Sequence, residues 1–306
     1  MNVAVSLLRI LSIYCVIAVH AHGNFARTDV AVPLFMSLSF YFSGDKLVTG
    51  SNLNRRLIRI GIPFCGWGII YSVYALFSNH EFGWWWLRGM IEQLLLGHTF
   101  APHLYFLWLL ASYTIVLWLI GQFSQGKAMW WFGIFAFLCL ILQWTGINFS
   151  LCDRLPYFMR YTIGRFVELM PYAFIGCFAG NKCCISCKLR WSLIALLAIG
   201  IMMVKILGRH IVVKGFGYST FWVYLFVPIC MLSLDYASHL VRKFLPKTEW
   251  LNFMGGLVPG VYFIHLLFVF MLSDYISEGL SLIVFLLSFL AVALLSRVPA
   301  LRMLVR

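Results

Sequence analysis

Val3-Ala-Val-Ser-Leu-Leu-Arg9-Ile-Leu-Ser-Ile-Tyr-Cys-Val-Ile-Ala-Val-His20 is the stretch that decides the fold. It is almost wholly apolar and long enough to cross a bilayer as a helix. Yet it contains a guanidinium, Arg9, and ends on an imidazole, His20. Placing an Arg in a bilayer costs about 2.5–3.5 kcal/mol on insertion scales, so the residue calls for a reason and a partner. At about 1.5 Å per residue, Arg9 and His20 stand roughly 16 Å apart along the axis. Eleven residues is close to three turns, so both point to about the same side. One helix thus offers a cation near one end and a titratable base much deeper on the same face. That pairing suits an extended anionic ligand held at the surface with its reactive end near mid-membrane. Taken singly each has a plainer reading, since an Arg snorkels to the interface along its stem and a His at a helix end can be a cap.

The rest of the composition agrees with a membrane chain. Of 306 residues 62% are hydrophobic and only 11% charged, whereas soluble domains carry about 25% charge. The expected fold is therefore all-α and polytopic, one transmembrane domain over residues 1–306 with no soluble domain appended. The 18% aromatic content, with 12 Trp, fits interfacial belts such as Trp84-Trp85-Trp86. No cleavable signal is visible, so the first helix is expected to be retained. The net charge of +13 does not point to nucleic acid, because the charges fall in short loops and form no extended basic face.

Ten apolar spans are expected, at about 4–21, 30–48, 60–78, 103–121, 129–147, 162–180, 191–207, 218–236, 254–272 and 279–296. With the N-terminus cytoplasmic, most of the basic residues fall in inside loops, among them Lys46, Arg55, Arg56, Arg59, Lys188, Arg242, Lys243 and Arg297. That bias puts both termini in the cytoplasm. The run Met90–Gly97 is too short to span and reads as an interfacial or re-entrant helix. No internal repeat or inverted pair of Gly/Pro-broken helices is visible, which argues mildly against a common transporter plan. Of nine cysteines, Cys183, Cys184 and Cys187 cluster in one loop. Zinc would want a fourth ligand nearby, and free thiols of a reducing compartment are the simpler reading.

Arg56 and Arg59 share a helix face and open the third span on the same side as Arg9. Guanidiniums clustered at one mouth fit phosphate oxygens, although the positive-inside rule also asks for charge there. At the other side, Pro102-His103-Leu-Tyr105-Phe-Leu-Trp108 opens the fourth span and by itself reads as an interface belt. His265 sits inside a late span, where packing is its ordinary role. Glu168, beside Arg165, is a costly intramembrane acid and a candidate to orient a histidine or an acceptor hydroxyl. Asp153, Arg154 and Arg160 read as a solvated outer loop.

These features occur in an order that resembles the acyltransferase-3 family of integral-membrane acyltransferases. Arg9 and His20 match its R-x10-H pattern, and Arg56 and Arg59 its R-x-x-R pair before Pro63. The stretch Pro33-Leu-Phe35-Met-Ser37-Leu-Ser39-Phe-Tyr-Phe-Ser43-Gly44 resembles the family's second helix. Pro171-Tyr-Ala-Phe-Ile-Gly176 resembles its mid-chain stretch, and Tyr262-Phe-Ile-His265 its late helix. The resemblance covers nearly the whole chain. It departs at Asp45, where the family usually continues Ser-Gly with Phe, and it lacks the extracytoplasmic esterase-type domain of some relatives.

The resemblance implies acyl-CoA, most often acetyl-CoA, as co-substrate from the cytoplasm. It implies a sugar hydroxyl on a lipid-linked or surface glycan as acceptor, with lipopolysaccharide O-antigen, capsule and exopolysaccharide all open. It further implies a multi-pass protein of a bacterial inner membrane. In that frame Arg9, Arg56 and Arg59 hold the CoA phosphates and Arg9 with His20 forms the catalytic pair. His20 is the general base, since an imidazole with a pKa of about 6.5 is available unprotonated at pH 7. An acetyl-histidine intermediate is the competing chemistry. His103 or a backbone amide is a candidate oxyanion donor, and Trp108, Glu168 and His265 are candidates for the acceptor side. No metal and no permanently bound cofactor is expected. The rival class is a transporter or flippase for an anionic or glycan substrate, which would also use a basic mouth and buried His and Glu.

Overall fold

A computed structural model describes residues 2–21, 28–42, 50–79, 83–97, 99–124, 127–145, 157–181, 192–196, 199, 221–245 and 247–305. Every regular element among them is helical: α1 Val3–His20, α2 Ala31–Tyr41, α3 Gly50–Asn79, α4 Trp84–Leu96, α5 Tyr105–Phe123, α6 Ala128–Thr145, α7 Tyr157–Gly180, α8 Phe221–Leu232, α9 Leu234–Phe244, α10 Glu249–Leu272, α11 Leu280–Leu295 and α12 Arg302–Val305. The expected span 191–207, the end of the expected second span with Lys46, the Cys183–Cys187 cluster and the loop holding Asp153 and Arg154 lie largely or wholly outside the described residues.

Four helical segments are long and apolar enough to cross a membrane: Val3–His20, Gly50–Ser78, Pro102–Phe123 and Glu249–Leu272. A fifth is formed if Val223–Leu232 and Leu234–Phe244, bent by 62°, make one span. The expected span 218–236 thus breaks at Ser233, and the chain continues as α9, whose last turn carries Arg242 and Lys243. Helices α2, α6 and α11 coincide with expected spans but hold shorter apolar stretches. With 11 residues, α2 is only about 16 Å long.

The α1 start is built by Asn2, whose side chain accepts from Ala4 N at 3.0 Å and so caps the helix. α1 and α10 then pack in close parallel register. Ser6 Oγ donates to Asn252 Oδ1 at 2.9 Å, and a Cβ at Gly255 would lie 2.7 Å from that of Ser6. Only glycine admits this approach. At the other end the same register sets the His20 ring beside the His265 ring. α12 also returns to the N-terminal half of α10, with Val305 against Gly260, and Trp67 Nε1 donates to Leu304 O at 2.8 Å.

α3 has 30 residues, about 45 Å of helix against a hydrocarbon core of about 30 Å. Its first turns, which carry Arg55 and Arg59, therefore stand at an exposed end. α4 is the short helix expected between the third and fourth long apolar segments. Trp86 Nε1 ties it to Ser72 O of α3 at 2.8 Å. It ends at Gly97 with φ 75°, a left-handed cap that a side chain would strain. Gln93 Oε1 accepts from Phe100 N at 2.8 Å and Ala101 N at 3.0 Å. That bridge aims the 3-10 turn Pro102–Leu104, and with it His103, into the interior.

α7 grips α2 through small residues. A Cβ on Gly176 would overlap the Ser37 carbonyl, and one on Gly180 the Tyr41 carbonyl. Ser37 Oγ donates across the contact to Tyr172 O at 2.8 Å. This is close backbone approach at a small-xxx-small step.

Candidate active site

Three histidines far apart in sequence share one place. The His20 and His265 rings lie 5.4 Å apart, His103 and His265 5.1 Å, and His20 and His103 6.4 Å, between centroids. They come from the end of α1, the turn before α5 and the middle of α10. His265 is fully buried and His103 is 3% exposed, while His20 is partly exposed. His265 Nδ1 lies 2.8 Å from the Tyr262 carbonyl oxygen. Since a carbonyl only accepts, Nδ1 donates and carries the proton. Among the described residues neither ring nitrogen of His103, nor Nε2 of His265, meets a hydrogen-bond partner.

Two tyrosines frame the cluster. The Tyr262 hydroxyl donates to the His103 carbonyl, so one residue ties both His103 and His265. Tyr71, also fully buried, faces His103 at 5.3 Å between ring centroids. Its hydroxyl donates to Phe263 O at 2.7 Å and accepts from Leu267 N at 3.1 Å, which fixes α3 to α10 beside His265. Phe35 of α2 stacks on Tyr262 at 5.7 Å, so the α2–α7 grip reaches the site through one ring. Tyr71 and Phe35 were not among the residues expected to act. The signal for Tyr71 is chemical, because a tyrosine buried in an apolar helix must place its hydroxyl on a partner.

At the opposite end lies a cavity of about 480 Å³ lined by Arg9, Arg55, Arg56 and Arg59, with Ser39 and Asn52. No acid lines it. Its walls continue inward through Leu107 and Leu110 of α5 and Pro259 and Phe263 of α10. Leu107 is one helical turn from His103, and Phe263 lies two residues before His265. Arg56 is held in place by Ser39 O at 3.3 Å and by the Phe40 ring at 4.6 Å, whereas Arg55 and Arg59 are exposed. Arg55 joins the expected Arg9, Arg56 and Arg59. On α1 the distance from Arg9 to His20, and on α3 the twelve residues from Arg59 to Tyr71, measure about 16–18 Å in the same direction. Two helices therefore run from the basic cavity to the histidines.

The remaining candidates lie elsewhere. Trp108 is half-buried against the core and makes no ring contact with the histidines among the described residues. Glu168 is buried on α7 and pairs with Arg165 Nη1 at 2.7 Å, and Arg165 also covers the Tyr161 ring at 5.1 Å. Nor do any three His, Cys, Asp or Glu side chains among the described residues stand so as to share a metal ion.

No curated protein and no solved structure matches the chain. The model of the acyltransferase-3 family, described as an acyltransferase domain, matches residues 2–298. Helices long and apolar enough to cross a membrane, and a family match over nearly the whole length, make this an integral membrane acyltransferase: the chain belongs to the acyltransferase-3 family.

Proposed function

We propose that this acyltransferase moves a short acyl group, acetyl in the simplest case, from acyl-CoA to a hydroxyl of a cell-surface or lipid-linked saccharide, with His20 as general base. The observation that carries the reading is the geometry of Arg9 and His20. An arginine-lined cavity opens at one end of α1, and three histidines meet at the other.

CoA is long, and its phosphates sit at the nucleotide end. Guanidinium forks at Arg9, Arg56 and Arg59, joined by Arg55, match the 3′-phosphate and diphosphate. The pantetheine arm then runs along Leu107 and Phe263 towards the histidines. His20 takes the proton of the acceptor hydroxyl as its oxygen attacks the thioester carbon. The carbon–sulfur bond breaks, and the CoA sulfur takes the proton back from His20. Base catalysis of this kind is worth about two to four powers of ten in rate. His103, buried beside His20 and His265, is the candidate donor to the thioester oxygen as it gains charge.

The protein then lies in a bacterial inner membrane with the arginine mouth facing cytoplasmic acyl-CoA. Purified protein given acetyl-CoA and a glycolipid extract of the host membrane is expected to release free CoA thiol. His20→Ala is expected to abolish the release while still binding acetyl-CoA. Release undiminished by His20→Ala would remove His20 from the chemistry. Failure of the wild type to bind acetyl-CoA would move the reading towards transport.

A further inference from the structure

His265 is the most tightly defined of the three histidines. Its Nδ1 donates to the Tyr262 carbonyl, so its Nε2 carries a bare lone pair. That nitrogen is fully buried and receives no hydrogen bond among the described residues. A buried acceptor left unmade is costly, and such an exception calls for an explanation. A donor turned towards it removes the cost.

Two rings are near enough to supply one. Imidazoles joined end to end by an N–H···N bond of about 2.9 Å have centres about 5 Å apart. His103 and His20 stand 5.1 Å and 5.4 Å from His265, so either ring is near enough for that bond once a nitrogen is turned towards Nε2. His103 is sealed in the core at 3% exposure. His20 is partly exposed and shares its helix with Arg9, so it is the ring a substrate reaches. A histidine that takes a proton becomes a donor at both nitrogens. One then faces the substrate and the other needs an acceptor.

We propose that His265 is the positioning residue for His20. Its Nε2 accepts the second N–H of His20, which turns the other nitrogen of His20 towards the proton of the acceptor hydroxyl. The chain of bonds runs from the Tyr262 carbonyl through both rings of His265 and His20 to the substrate. During transfer the hydroxyl proton moves to His20, the oxygen–carbon bond forms, the carbon–sulfur bond breaks, and the proton passes from His20 to sulfur. His265 neither gains nor loses a proton. It serves as the orienting third group that an acid–base histidine requires. The proposal rests on the reading of His20 as base.

Two substitutions separate this role from packing. Glutamine places its carbonyl oxygen near the position of Nε2, and asparagine places its amide nitrogen near that of Nδ1. His265→Gln keeps the acceptor for His20 and gives up the bond to Tyr262. His265→Asn does the reverse. Full-length protein in native membranes is assayed with acetyl-CoA and the host glycolipid extract, alongside thermal melting. His265→Gln is expected to keep kcat within about tenfold of wild type. His265→Asn and His265→Phe are expected to lose about a hundredfold or more, with KM for acetyl-CoA within about twofold. A structural role gives the opposite order, with Asn active, Gln impaired, and activity following the melting temperature. Asn equal to or better than Gln overturns the role of His265 and leaves His20 as base untouched. Transfer retained in His20→Ala overturns the base itself.

Discussion

The hydroxyl of Tyr262 and the carbonyl of His103 are hydrogen-bonded across 159 positions of sequence, and that bond joins α10 to the turn that carries His103. The same tyrosine, through its own carbonyl, fixes the ring of His265. One residue, through its side chain and its backbone, thus sets the spacing of two histidines. Tyr262→Phe leaves the His103 carbonyl buried without its donor. Such a loss costs about 1–3 kcal/mol, so a lower melting temperature is expected together with a fall in kcat of about tenfold. An unchanged kcat would show that the turn holds His103 without Tyr262.

The arginines of the cavity differ in how they are held, and their variants are expected to differ accordingly. Arg59 is exposed, so Arg59→Ala is expected to weaken acyl-CoA binding about tenfold, the value of one charged hydrogen bond, with stability unchanged. Arg56 also meets Ser39 O and the Phe40 ring. Arg56→Ala is therefore expected to lose both affinity and stability. Calorimetric titration with acetyl-CoA, and melting curves on the same preparations, separate the two.

Gly176 and Gly256 make a matched pair. A Cβ at Gly176 runs into the Ser37 backbone, whereas one at Gly256 meets nothing within 4 Å. Gly176→Ala is expected to cost about 1–3 kcal/mol through overpacking and to reduce activity, because α2 carries Phe35 onto Tyr262. Gly256→Ala, in a helix interior, is expected to be neutral or to stabilise by about 0.5–1 kcal/mol. Equal melting temperatures for the two would contradict the α2–α7 contact.

Glu168 sits in an ion pair with Arg165, both largely buried. Breaking a buried pair from one side costs about 3–5 kcal/mol. Glu168→Gln is expected to lower the melting temperature strongly, while protein that remains folded binds acetyl-CoA as well as wild type. A stable Glu168→Gln protein without transfer activity would return Glu168 to the acceptor site.

Much of this arrangement was legible along the chain, because it is local. The Arg9–His20 ruler follows from helical rise alone, and Arg56 and Arg59 share a face by their spacing. The short α4 was visible because Met90–Gly97 cannot span. What the sequence hid is tertiary. His103 and His265 each read as ordinary within their own helix, and only the α1–α10 register and the Gln93 bridge bring them to His20. The Gly176–Gly180 step that seats α2 was present as G-x-x-x-G, a pattern with a packing meaning. The break at Ser233 was masked because the apolar run continues to Leu232 and the polar helix after it resembles a loop in composition.

The central claim is that the arginine cavity and the histidine cluster serve one transfer, from acyl-CoA to a saccharide through His20. The direct measurement is the passage of label from [14C]acetyl-CoA into the saccharide fraction of host membranes, with purified wild type and His20→Ala compared at matched acetyl-CoA occupancy. Labelled saccharide is expected with the wild type and none above background with His20→Ala. Equal labelling by the two proteins would contradict it.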